Sequence, residues 1–85
     1  MNTININLSE KKIIDDICID NKLIVKAIKR SNNKYTYVFE HNQADIVYEE
    51  LQKIYIHEGF DENYKHNEFG KNCKNIIEKF NYIGW

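Results

Sequence analysis

The stretch TININL at residues 3–8 alternates strictly, with Ile4, Ile6 and Leu8 on one side and Thr3, Asn5 and Asn7 on the other. A period of two over this length predicts a strand with one buried face. The next stretch, SEKKIIDDICID at residues 9–20, allows two readings. Ser9 is a good N-cap, and Ile13, Ile14, Ile17 and Cys18 make a helical stripe, so a short helix is preferred. The alternative is a second strand that turns at Asp20 and Asn21.

KLIVKAIKR at residues 22–30 and KYTYVFEH at residues 34–41 predict a hairpin closed through Ser31, Asn32, Asn33 and Lys34. Asparagine tolerates the left-handed backbone that tight hairpins need. Pairing Arg30 with Tyr35 assigns the faces. Leu23, Val25, Ala27 and Val38 fall on an aliphatic face, and Ile24, Lys26, Ile28, Arg30, Tyr35, Tyr37 and Phe39 on the other. From Asn42, taken as a cap, Ala44, Val47, Tyr48, Leu51, Ile54 and Tyr55 form one helical stripe that Gly59 ends as a C′ residue. A last helix starts near Asn67 and carries Phe69, Cys73, Ile76, Ile77, Phe80 and Ile83 at helical spacing. The expected fold is α+β: a small antiparallel sheet of three or four strands packed against two C-terminal helices, with a short helix after the first strand.

The 85 residues contain no proline, no Gly/Ser linker and no repeat, so they are read as a single domain, residues 1–85. A chain this short hides only about 60% of its unfolded surface or slightly more, so the core must be concentrated. It is, at 42% hydrophobic and 13% aromatic residues, a composition that argues against disorder. Two cysteines do not make a disulfide framework, no basic leader precedes an apolar stretch, and no apolar run reaches membrane length. The expectation is a cytoplasmic protein with reduced thiols and no membrane partner.

Charge changes this picture more than composition does. Residues 21–41 hold five basic side chains and one acidic, net +4, and residues 42–62 hold one basic and six acidic, net −5. The flanking segments, at net −2 and +2, bring the whole chain to −1. Such segregation can steer a charged partner or a second copy of the chain.

Candidate chemistry is sparse. Cys18, Cys73, His41, His57 and His66 show no paired spacing of a structural zinc site, and both cysteines lie on apolar stripes. DENYKHNEFGKN at residues 61–72 has the length of a calcium loop but places His66 at the glycine position and Asn72 at the bidentate glutamate. Gly59, Gly70 and Gly84 are too far apart for a phosphate loop, and Asp15, Asp16 and Asp20 lack a catalytic lysine or histidine cluster. Neither an enzyme nor a cofactor is expected.

Two surfaces remain. Asp45, Glu49, Glu50, Glu58, Asp61 and Glu62 gather on and after the first long helix, with Ile46 and Ile56 off its apolar stripe. Acidic residues around exposed apolar ones suit a basic partner surface. The alternative is a nucleic-acid face on the hairpin: Lys22, Lys26, Lys29, Arg30 and Lys34 would track phosphates while Tyr35 and Tyr37 stack bases. Burial of Tyr37 under a helix is preferred to that alternative.

At the level of class, the chain resembles small host-takeover proteins encoded by phages and mobile elements, anti-CRISPR proteins among them. The resemblance is carried by its size, its wealth of Lys, Ile and Asn, the lack of a catalytic set and the sheet-plus-helices plan. It implies an inhibitor that occupies the basic surface of another protein, such as a nucleic-acid-binding host protein. Glu49, Glu50, Glu58, Asp61 and Glu62 would then pair with Lys or Arg, and Ile46, Tyr64 and Trp85 would be the anchors. Capping the core is the preferred reading of Trp85, with an anchor for a partner or a homodimer mate as the alternative.

Overall fold

The computed structural model describes residues 2–59 and 65–84. The opening alternation does form a strand, β1 (Asn2–Ile6), with Ile4 and Ile6 buried. It stops two residues short of Leu8 because Asn7 caps a helix, α1 (Leu8–Asp20). The Asn7 side chain accepts from the Glu10 N–H, and the Glu10 carboxylate accepts from the Asn7 N–H, each at 2.9 Å. This reciprocal capping box satisfies two donors that a helix start leaves open. The cap is therefore Asn7 rather than Ser9, and Leu8 is exposed in the first turn instead of lining the strand.

The hairpin follows as β2 (Lys26–Ser31) and β3 (Lys34–Phe39). Residues 23–25, expected to begin the strand, have no regular structure. The sheet has three strands in the order β1-β3-β2, all antiparallel, so β3 is central. Its register corrects the expected pairing. Tyr35 faces Lys29, not Arg30, and an irregularity between Lys29 and Ser31 absorbs the extra residue. A shift of one residue turns every side chain of a strand to the opposite face. Tyr35, Tyr37 and Phe39 therefore share their face with Ile4, Ile6, Ala27 and Lys29, whereas Lys26, Ile28 and Arg30 lie with Thr36, Val38, Thr3 and Asn5.

Glu40 caps the next helix, α2 (His41–Glu58), two residues before the expected Asn42. Asn67 caps α3 (Glu68–Ile83) as expected, its side chain accepting from the Gly70 N–H at 2.7 Å. All three helices pack on the Tyr37 side of the sheet, and none of the described helices packs on the other side. The core joins Ile13, Ile14 and Ile17 of α1, Val47 and Leu51 of α2, and Ile76 and Phe80 of α3 to the strands. Burying each such side chain stabilises by roughly 1.5–3 kcal/mol.

Two polar ties fix the layers. Lys79 Nζ reaches across from α3 to the buried Glu10 carboxylate at 3.0 Å, and Asn33 in the hairpin turn accepts from the Leu8 N–H at 2.9 Å. Gly59 does end α2, but with φ −84°, so its role is not left-handed geometry. Its backbone abuts Gly70 in the first turn of α3: a Cβ on Gly70 would lie 2.0 Å from the Gly59 carbonyl oxygen. Gly84, by contrast, has φ 59° and open space around it.

Gly70→Ala is expected to cost about 3 kcal/mol, because backbone must move to admit the methyl group. Gly84→Ala is expected to cost about 1 kcal/mol, from the left-handed conformation alone. Denaturant melts of both variants check this. A Gly70→Ala loss no larger than that of Gly84→Ala would contradict the close crossing.

Candidate interaction surfaces

On α2, the residues facing away from the core are set by the buried row Ala44, Val47 and Leu51. Asp45, Glu49, Gln52 and Ile56 lie on the solvent side in a stripe about 60° wide at 100° per residue. All four are exposed, Ile56 to 67%. Lys53 Nζ lies 3.6 Å from Glu50, so part of the acidic charge is locally balanced, and His41 Nε2 lies 3.5 Å from Asp45. Exposed i,i+3 and i,i+4 pairs of this kind hold weakly and yield to a better partner.

The structure brings only some of the expected partner-binding residues together. Ile46 is half-buried and Glu50 partly covered, while Glu58 is exposed but lies about 180° around the helix from Glu49. Asp61, Glu62, Tyr64 and Trp85 lie outside the described residues. The exposed apolar residue of this surface is Ile56 rather than Ile46, and its position off the apolar stripe was the signal in the sequence.

Ile56 also forms the lip of a groove between α2 and α3. Tyr55 and Ile77 contribute apolar wall, and Gln52, Lys74, Glu78 and Asn81 complete the lining. The helices are held apart at this width by specific contacts. Tyr48 Oη donates to Asn81 Oδ1 at 2.8 Å, and Tyr55 Oη meets His66 Nε2 at 2.5 Å. Tyr48 also packs edge-on against Phe80.

The hairpin surface is differently composed from the one expected. Tyr37 is 1% exposed and donates a hydrogen bond to Asp15, while Tyr35 is half-buried on the helix side with the Lys11 ammonium 5.4 Å from its ring centroid. Neither ring shares the open face with Lys26, Arg30 and Lys34, so the expected stacking platform is not assembled there. Arg30 is held on that face by its Nε, which donates to Thr36 Oγ1 at 3.1 Å; Thr36 in turn donates to Asn5 at 2.7 Å. Lys22 sits apart, in the turn after α1, with a left-handed φ of 55°. Lys26, Arg30 and Lys34 thus form a cationic patch on the open face without aromatic rings, while Lys29 lies on the helix side opposite Tyr35.

Cys18 and Cys73 are free and buried, as their place on apolar stripes led us to expect. Burial pushes the Cys18 thiol up to about 11, helped by the nearby Asp15 carboxylate. Burial raises Cys73 to about 11 as well, with Glu58 adding to the effect. Burial and the bond to Asp15 likewise hold the Tyr37 phenol well above its ordinary range. These environments favour inert thiols, because thiolate is the reactive form. No group of three His, Cys, Asp or Glu among the described residues is placed to hold a metal ion, and no described helix is long and apolar enough to cross a membrane.

The raised thiols, together with the raised Tyr37 phenol, weaken the fold as pH rises through the alkaline range. The unfolded chain gives up its thiol protons near the ordinary value of 9 and the folded chain only near 11, so stability is full below pH 9 and declines between about pH 9 and 11. Denaturant melts across that range should show the decline, and a thiol reagent at pH 8 should modify neither cysteine until denaturant is added. Rapid labelling of both thiols in the native protein would contradict their burial.

Compared with known proteins, the chain matches no family model, no curated protein and no solved structure.

Proposed function

We propose that this chain is a non-catalytic protein-binding module, an inhibitor acting in the cytoplasm by occupying a basic surface of its partner with the outward face of α2. The observation that carries this reading is Ile56. It is 67% exposed, in line with Asp45 and Glu49, at the lip of an apolar groove. Interfaces draw most of their energy from a few apolar anchors seated in pockets, while surrounding charges set orientation and encounter rate. The α2 face offers both parts within three helical turns. A partner that places one apolar side chain in the groove and Lys or Arg beside Asp45 and Glu49 would satisfy it. On the sequence alone, Asp61, Glu62, Tyr64 and Trp85 are further candidates for contact with the partner.

The hairpin supports the nucleic-acid alternative less well, because phosphate contacts without stacked bases give little beyond non-specific, salt-sensitive attachment.

Affinity capture from a host extract with wild-type protein and two charge-reversed forms tests the reading. Glu49→Lys combined with Ile56→Asp should weaken capture of the partner by about a hundredfold, the loss of one anchor and one charge contact. Lys26→Glu combined with Arg30→Glu should leave capture unchanged. Circular dichroism checks that both forms fold. Equal capture by all three proteins, or loss only with the hairpin pair, would sink the assignment to α2.

A further inference from the structure

β2 is an edge strand. Its six residues pair with β3 on one side only, and every one but Ile28 is exposed. Alternate residues of such a strand turn their N–H and C=O groups away from the sheet. On the helix side, this edge runs beside a shallow groove between α1 and the hairpin, lined by Ile19, Leu23, Ile24, Val25 and Ala27, with Lys11 and Asp15 of α1 completing its wall. Ile24 is 92% exposed and Ile19 is 73% exposed. On the other side of the same edge stand Lys26 and Arg30. The open flank of the edge is therefore cationic, and the helix-side flank is largely apolar, with Lys29 following Ala27 along it.

We propose that β2 receives an added strand: an extended segment of another protein that alternates apolar and acidic residues. Its backbone would extend the ladder along residues 26–29, ahead of the irregularity that ends regular pairing at Arg30. Its apolar side chains would fall on the helix side, over Ile24 and Ala27. Its carboxylates would fall on the open side, beside Lys26 and Arg30. Strand addition draws affinity from main-chain bonds and specificity from alternate side chains, so the period of the ligand is dictated by the sheet.

Charge selects this occupant over others. Residues 21–39 contain Lys22, Lys26, Lys29, Arg30 and Lys34 and no acidic residue. In a two-fold antiparallel pair of β2 edges centred on Ile28, Lys26 of each copy would stand opposite Arg30 of the other, and like charges placed opposite one another destabilise a ladder. The cations that guard the edge against self-pairing are the same ones that would attract an acidic strand. A nucleic acid would find the cations but no exposed ring to stack on, since Tyr35 and Tyr37 face the helices.

The probe is a blocked seven-residue peptide of alternating Glu and Val, with two controls: a scrambled peptide of the same composition, and the alternating peptide N-methylated at every second residue. Titration into labelled protein should move the backbone amide signals of residues 26–29 and of Ile24, and should slow hydrogen exchange along β2. Both controls should lose binding, the N-methylated one because it keeps the charges and apolar groups but cannot complete the ladder. Lys26→Glu with Arg30→Glu should weaken the alternating peptide more than about tenfold. Glu49→Lys should leave it unchanged, which separates this surface from the one on α2. Equal binding of the scrambled or N-methylated peptide would overturn strand addition in favour of simple charge attraction. So would the absence of amide shifts on β2, or tighter binding of a single-stranded oligonucleotide to the same amides.

Discussion

The fold depends on a run of aromatic rings that crosses its layers. Tyr37 stacks on Phe39 within β3 at 5.9 Å between ring centroids, Phe39 meets Phe80 of α3 at 5.5 Å, and Tyr48 of α2 meets Phe80 at 6.0 Å. Such pairs add about 0.5–1.5 kcal/mol each beyond the area they bury. Their larger effect is on arrangement. Phe39 and Phe80 are fully buried, so β3, α2 and α3 cannot slide independently without opening a void at the centre of the molecule. α1 joins the same run through Asp15, which accepts from the Tyr37 hydroxyl and is itself held by Lys11 at 2.5 Å. With β3 fixed, β1 and β2 are placed on either side of it, and the identity of the open edge follows.

That dependence explains which parts of the structure were legible in the sequence. The strand at Ile4 and Ile6 and the helices built on Val47 with Leu51 and on Ile76 with Phe80 were read correctly, because burial imposes a period and a period is visible without neighbours. Helix ends were less legible. Ser9 and Asn42 are good caps by residue type, yet Asn7 and Glu40 occupy those positions: Asn7 closes a reciprocal box with Glu10, and the Glu40 N–H donates to the Gln43 side chain three residues on. The i,i+3 pairing was present in the sequence and was the better signal.

The hairpin register was not legible, and the reason is physical. Both strands carry apolar residues at odd and even positions, so either face could have been the buried one. What decides between them is the irregularity between Lys29 and Ser31, which shifts β2 by one residue so that small Ala27, not Ile28, lies across from Tyr37. An irregularity leaves no period in the sequence. Its consequence for the surfaces is large, because the one-residue shift separates the basic side chains from the aromatic ones. A surface that reads as a stacking platform in one register becomes a cationic edge in the other.

The charge segregation acquires its meaning from the same layering. The net +4 segment forms the hairpin edge and the net −5 segment includes α2, whose exposed face points away from the sheet. At contact distance each patch acts by its own sign, the hairpin patch attracting anions and the α2 face attracting cations. Far from the surface they nearly cancel, leaving the field of a single negative charge. Long-range steering is then weak for either kind of partner, and discrimination at the proposed surfaces would rest on short-range complementarity: the fit around Ile56 on one, and the ladder along β2 on the other. A chain with this distribution gains little from association rate, so tight binding at either proposed surface would have to come from slow dissociation.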